Sequence, residues 1–190
     1  MSRWQPDARG RLERAAMELY SERGFEQTTV AEIAARAGLT ERTFFRHFAD
    51  KREVLFWGAG SLQDLLVGTL ASTPDSVPPI DAIAAALAAA GAALQERREH
   101  AMRRQAVIDA NTGLQERELI KLAALASALA AALRERGVKD PAASLAAEAG
   151  IAVFKITFER WISEPGAPDF PELIRESLDE LKDVTAGISG

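Results

Sequence analysis

Residues 28–53, TTVAEIAARAGLTERTFFRHFADKRE, restrict the fold more than any other part of the chain. Two short helical periods meet at a single glycine. Thr29 and Glu32 have the spacing of a capping box, which satisfies exposed N–H groups at a helix start. Val30, Ile33, Ala34 and Ala37 follow at i, i+3, i+4 and i+7, one apolar stripe. Gly38 stands where a left-handed residue ends a helix, because glycine takes that conformation without a Cβ clash. Leu39 supplies an apolar plug and Thr40 caps the next helix. Phe44 and Phe48, at i and i+4, give that helix an inward stripe, leaving Glu41, Arg42, Phe45 and Arg46 on other faces. Asp50 and Glu53 form a second box-like pair. Lys51, in the first turn that follows, runs against the helix dipole, which points to a compensating partner such as a phosphate.

Two short helices around a glycine turn, the second with Arg, Thr and His on its free face, form a rigid probe for the DNA major groove. The bland alternative is a helical hairpin inside an ordinary all-α domain. The agreement of spacing, turn, caps and polar face favours the probe.

Residues 9–57 resemble the N-terminal DNA-binding domain of TetR/AcrR-family transcriptional regulators. The resemblance rests on Thr28-Thr29-Val30, Ile33-Ala34, Ala37-Gly38-Leu39-Thr40, Thr43-Phe44-Phe45, His47-Phe48 and Lys51. It implies DNA contacts from Thr29, Thr40, Arg42, Thr43, Phe45, Arg46, His47 and Lys51. Thr29, His47 and Lys51 match phosphate-contacting positions, and Thr43 a base-edge or backbone contact. Phe45 stands where the family usually has Tyr, so its contact is apolar, with a sugar or a thymine methyl. Arg42 replaces a frequent Gly. It reads guanine through O6 and N7 or holds a phosphate. Arg46 is either a solvated charge beside Glu41 or Asp50, or a further DNA contact.

The chain has 190 residues, 47% of them hydrophobic, enough for a core and for one domain or two small ones. It has no Cys and only two His, His47 and His100, far apart in sequence, which argues against a metal site. No cofactor is expected. The N-terminus lacks the apolar core of a signal peptide. No charge-free run of 18 apolar residues occurs, so no membrane span is expected. These features fit the cytoplasm. The net charge is −5. Residues 1–57 carry ten Lys or Arg against nine Asp or Glu, and residues 58–190 thirteen against nineteen. A weakly basic head suits discrete phosphate clamps on a dimer better than a broad basic surface. Arg3, Arg9, Arg11 and Arg14 add charge before the motif, and the first two or three form either an arm that reaches DNA or a solvated terminus.

The periodicity predicts an all-α fold of about nine helices: a three-helix DNA-binding domain over residues 1–57, and a helical effector-binding and dimerisation domain over 58–190. The helices are expected at 7–23, 30–37, 40–48, 51–72, 80–94, 102–109, 115–136, 141–163 and 171–184. Asp140-Pro141 reads as a cap followed by proline at the first helical position. Between Ala149 and Ile162 apolar residues cover more than one stripe, so this helix is central to a core or meets a second subunit. The resemblance implies a homodimer through the last two helices, facing a palindromic operator. Its seam candidates are Phe154, Phe158, Leu173 and Leu181. The resemblance also implies a small-molecule effector among the central helices, with Arg103, Asn111, Thr157 and Trp161 as candidate contacts. Arg-Thr-Phe-Phe-Arg on the second motif helix and Glu159-Arg160-Trp161 resemble a branch that binds acyl-CoA-like ligands, so the expected effector is small and hydrophobic or amphipathic.

The expected function is a ligand-responsive repressor released from double-stranded DNA by that molecule. An activator, or a regulator with no effector, fits the same residues. So does a helical lipid or small-molecule carrier that only resembles a regulator. An enzyme is not expected: there is no Cys, no paired His, no Ser–His–Asp cluster and no phosphate-binding glycine loop.

Overall fold

The computed structural model describes residues 7–166 and 168–187. Arg3 lies outside the described residues. Ten helices occur among them and no strands: α1 (Ala8–Arg23), α2 (Val30–Arg36), α3 (Glu41–His47), α4 (Glu53–Phe56), α5 (Gly58–Ser72), α6 (Pro79–Gln95), α7 (Arg98–Asp109), α8 (Thr112–Glu135), α9 (Ala142–Ser163) and α10 (Phe170–Ala186). The all-α expectation is met. The added helix arises because the expected 51–72 helix is broken at Trp57 into α4 and α5. By length and composition alone the stretch Glu53–Ser72 would suit a membrane, at mean hydropathy 1.3. Asp64 lies within it, however, and Leu66 and Leu70 are fully buried in protein. That is the pattern of a helix packed on a core.

The chain divides into two compact units, and the division is not sequential. One holds Met1–Ala59 with His100–Glu118; the other holds Gly60–Glu99 with Leu119–Gly190. The expected boundary after residue 57 therefore misses a segment. Most of α7 and the start of α8 complete the first unit, because Val107, Ile108 and Leu114 join one core with Leu12, Leu19, Ile33, Phe44, Phe48 and Phe56.

In the first unit, α1 lays Leu12, Ala16 and Leu19 against α2 and α3. Phe25 closes the core edge-on to Tyr20, ring centroids 5.2 Å apart. Gly38 has φ +65°, as its place in the turn requires. The Arg11 guanidinium donates to the Ala37 carbonyl beside it, satisfying the C-terminal end of α2.

In the second unit α6, α9 and α10 pack on one another. The Ala-rich face of α6 makes this possible: Ala82, Ala86, Ala90 and Gly91 are buried and let neighbours approach closely. Gly150 of α9 lies directly over the Ile83 methyl Cγ2. Trp161 stacks on Phe170 at 4.7 Å and 11°, with Phe154 and Phe158 around them. Side chains close the helix ends. Arg98 donates to the carbonyls of Trp161 and Glu164, both at 2.8 Å, and Gln95 accepts from the Phe170 N–H at 2.8 Å. The start of α9 departs from expectation. Pro141 precedes the helix, and the Asp140 carboxylate accepts from Arg134 and Ser144.

The Gly150 contact gives a direct test. Gly150→Val is expected to lower unfolding stability by about 2 kcal/mol, because Ile83 is fully buried and has nowhere to move. Gly68→Ala, where nothing lies within 4 Å of the added Cβ, is expected to raise it by up to ~1 kcal/mol. Urea denaturation of both variants checks the pair.

Candidate nucleic-acid interface

The recognition candidate α3 has only seven residues, too few to hold a helix in isolation. Its ends and inner face are therefore tied. The Thr40 hydroxyl oxygen accepts from the Thr43 N–H at 3.2 Å and lies 3.1 Å from the Thr43 hydroxyl. Phe44 is fully buried and packs on Phe48 at 5.5 Å. With that face fixed, Arg42, Phe45 and Arg46 stand together on the opposite side at i, i+3 and i+4, all exposed. Neither Arg42 nor Arg46 forms an ion pair among the described residues. Asp50, the partner considered for Arg46, instead pairs with Arg52 at 2.8 Å.

The helix before it is capped as expected. The Glu32 carboxylate accepts from the Thr29 N–H at 2.9 Å, and the Thr29 hydroxyl oxygen accepts from the Glu32 N–H at 3.2 Å. The Thr29 hydroxyl also donates to Glu32 at 2.9 Å. Thr29 and Arg23 together hold the Glu32 carboxyl below its usual range. Both Thr29 donors are thus engaged within the cap.

Lys51 is tied into the first unit. Its ammonium donates to the backbone carbonyls of Phe25, Glu26 and Thr28, at 2.8, 3.2 and 3.0 Å. It also lies 4.4 Å from the centroid of the Phe25 ring. All three donors are consumed by the turn between α1 and α2. This set of carbonyls is a partner for the charge that runs against the helix dipole. The Lys51 carbonyl in turn accepts from the Tyr20 hydroxyl at 2.7 Å. Burial, with Asp50 nearby, pushes that phenol well above its ordinary range.

His47 closes α3 half-buried. Its Nε2 is enclosed without a partner. Burial, then Arg46 and Arg9, lower its pKa below the ordinary 6.5. The desolvation and the two guanidinium groups thus favour the neutral imidazole in the free chain. Of the cations before the motif, Arg9 is exposed and lies over the Phe48 and Trp57 rings at 5.9 and 5.7 Å, and Arg11 is bound to Ala37.

The sequence model described as bacterial regulatory proteins, tetR family, matches residues 13–56. A second, described as the MftR C-terminal domain, matches residues 77–186, more than half of the chain. The chain belongs to the TetR family. One curated relative is the HTH-type transcriptional regulator TcmR of Streptomyces glaucescens, 37% identical over 81 residues. The match covers 43% of this chain and only 36% of that relative's length. Among solved structures, FadR from Bacillus subtilis in complex with stearoyl-CoA superposes with TM-score 0.65 at 19% identity, covering 90% of this chain and 96% of that one. SmeT, the repressor of a Stenotrophomonas maltophilia multidrug efflux pump, gives 0.61 at 22%, covering 93% and 89%. These likenesses carry the fold.

Within this TetR-family fold the other sequence candidates separate. Arg103 and Asn111 belong to the first unit, where the Asn111 amide donates to the Val107 carbonyl at 2.7 Å. Thr157 and Trp161 belong to the second, both fully enclosed. The four candidate effector contacts therefore do not form one site within either unit. The Thr157 hydroxyl has no partner, and Trp161 is committed to Phe170. Of the four seam candidates, Leu173 is fully buried within its own chain and Phe154 nearly so. A side chain used in this way has no area left for a partner. Phe158 and Leu181 remain half-exposed. Sequence periodicity placed apolar residues on helices but did not separate the stripe facing inward from the one facing out.

A polar cluster in the first unit was not foreseen. Arg104 donates to the Leu55 carbonyl at 2.7 Å and to Glu118 at 3.1 Å, and lies 5.0 Å from the centroid of the Phe56 ring. Arg117 donates to Glu53 at 2.9 Å. His100 meets the buried Glu13 at 3.1 Å. These bonds bind 100–118 to α1 and α4. The partners are 49 to 64 positions apart for Arg104–Leu55 and Arg117–Glu53, so no local pattern announces them.

The Lys51 geometry yields a test. Lys51→Met removes a charge-assisted donor to three carbonyls and is expected to lower stability by about 2 kcal/mol, read by urea denaturation. Its salt dependence of DNA binding should match the wild type if the ammonium stays on these carbonyls in the complex, and should fall by about one per protomer if it turns to a phosphate.

Proposed function

We propose that this TetR-family chain is a dimeric, cytoplasmic transcriptional regulator that represses by binding a palindromic operator and is released by a small molecule. The observation that carries it is the free face of α3: Arg42, Phe45 and Arg46 exposed together on a helix whose other face and N-terminus are locked. Thr43 and His47 flank this face. DNA binding then rests on few charges, in keeping with the near balance of charge in residues 1–57. Residues 13–56, completed by 100–118, form the reading unit, and the remainder holds the effector and the partner copy. No catalytic role is assigned, in line with a family of regulators.

The partner copy is expected on the outward stripe of α9 and α10. Leu145, Ala149, Ala152 and Ile156 recur at heptad-like intervals on α9, and Leu181 and Val184 continue on α10. Leu145 is 65% exposed, and Ile156 and Val184 are each 56% exposed. A stripe of large apolar and small residues is the surface that helix-on-helix packing covers. Phe158 and Leu181 border it. A two-fold dimer presents two copies of α3 to two half-sites. The effector class is read as hydrophobic or amphipathic, supported by the stearoyl-CoA complex of FadR and the triclosan complex of SmeT. Such a ligand acts only by favouring the conformation that does not bind DNA.

Gel shifts with a duplex selected from random sequence test the reading. Sub-micromolar binding that falls steeply with salt is expected; no binding at low salt would overturn it. Arg46→Ala should weaken all sequences alike and reduce the salt slope by about one per protomer. Arg42→Ala should relax preference at one base pair per half-site, by ~1–3 kcal/mol. Ile156→Glu should give a monomer by light scattering and lose tight operator binding. An unchanged dimer would remove the α9 seam.

A further inference from the structure

We infer that the groove between α8 and α9 beside Glu148 receives Lys155 of a second copy of this chain, and that these two residues set an antiparallel register for the dimer. The inference rests on the α9 seam proposed above.

α8 and α9 leave a groove of about 130 Å³, lined by Ala126, Ser127, Ala130, Arg134, Ser144 and Glu148. Its floor is apolar, since Ala126 and Ala130 are buried. Most of its polar rim is already satisfied. The Ser127 hydroxyl donates to the Ala123 carbonyl at 2.9 Å, and the Ser144 hydroxyl to the Asp140 carboxylate at 2.9 Å. Arg134 donates to the same carboxylate at 2.6 and 3.1 Å, so its charge is answered. Glu148 is exposed and forms no hydrogen bond or ion pair among the described residues. An apolar slot with a free carboxylate at its rim suits a side chain with a methylene stem and a cationic head.

A cation of that form stands on the same flank of α9. Glu148 precedes Ala149 and Lys155 precedes Ile156, so each lies about 100° round the helix to the same side of the outward stripe. Lys155 is exposed and also unpaired among the described residues. Glu159, one turn on, is its alternative within the helix, but Lys before Glu is the weaker order for such a pair. Symmetry brings the two charges together. A two-fold midway between Ala149 and Ala152 lets the helices approach at their smallest residues and sets Leu145 opposite Ile156. Antiparallel helices related in this way face each other with like flanks. The partner's Lys155 falls opposite position 146, two residues or about 3 Å along the axis from Glu148. A parallel pair would instead set this flank against Ala146, Gly150, Val153 and Thr157, which carry no charge.

Charge exchange tests the register, with the dimer of the full chain read by sedimentation equilibrium. Glu148→Lys and Lys155→Glu are each expected to weaken the dimer about tenfold, since the two-fold repeats each like-charge contact. The double variant Glu148→Lys/Lys155→Glu is expected to return to within about threefold of wild type. An equimolar mixture of the two single variants is expected to form heterodimers in preference to either homodimer, because only the mixed pair sets opposite charges at both sites. Both positions are exposed, and circular dichroism confirms that the variants fold.

Single variants that dimerise as wild type does would overturn the inference, while a monomer from Ile156→Glu would leave the α9 seam in place. A double variant no tighter than the singles would also sink it, as would a mixture that pairs at random. A dimer that survives Ile156→Glu would remove the seam, and the inference with it.

Discussion

Burial of Phe44 is the constraint on which the rest of the DNA-reading unit depends. A seven-residue helix gains too few backbone hydrogen bonds to offset the entropy of forming it. It persists because one face is anchored in a core and one end is capped. Once Phe44 is fixed, the helical period dictates where Arg42, Phe45 and Arg46 stand. The reading face is thus a geometric consequence of a buried residue that never meets solvent.

The same economy explains the inward use of charge. Short helices leave many carbonyl and N–H groups without intrahelical partners. In this head cations answer several of them: Lys51 serves the turn after α1, Arg11 the end of α2, and Arg104 the Leu55 carbonyl of α4. Lys51 and Arg11 look, in sequence, like charges available for DNA. The near balance of charge in residues 1–57 understates the loss, since part of the positive charge is already committed to backbone. Arg42 and Arg46 on α3 remain exposed. In the proposed dimer a second copy would double a small number of contacts rather than add to a broad basic field.

The second unit shows what alanine does when helices must approach. Ala82, Ala86 and Ala90 turn α6 into a smooth rod against which Gly150 and the aromatic group of Phe154, Trp161 and Phe170 can settle. The outward stripe of α9 is built from the same helix with the register moved by two positions. Phe154 and Leu173 are spent on the inner surface, and Leu145 and Ile156 are left on the outer one. Sequence showed that α9 is apolar on several sides, but burial alone sorted those sides.

Helix identity, caps and the glycine turn were legible in sequence because they are local. A capping box spans four residues, and a left-handed glycine needs only its own conformation. The Thr29–Glu32 cap, the Thr40 cap, Gly38 and the buried pair Phe44 and Phe48 therefore stood where the pattern placed them, and with them the all-α class and the TetR-family head. The tertiary structure alone decided which cations face solvent, which apolar stripe faces inward, and that residues 100–118 complete the head. Those outcomes depend on partners far apart in the chain, such as Lys51 with Phe25, Arg104 with Leu55 and Glu53 with Arg117. Local propensity carries no record of a hydrogen bond that closes only when the chain has folded.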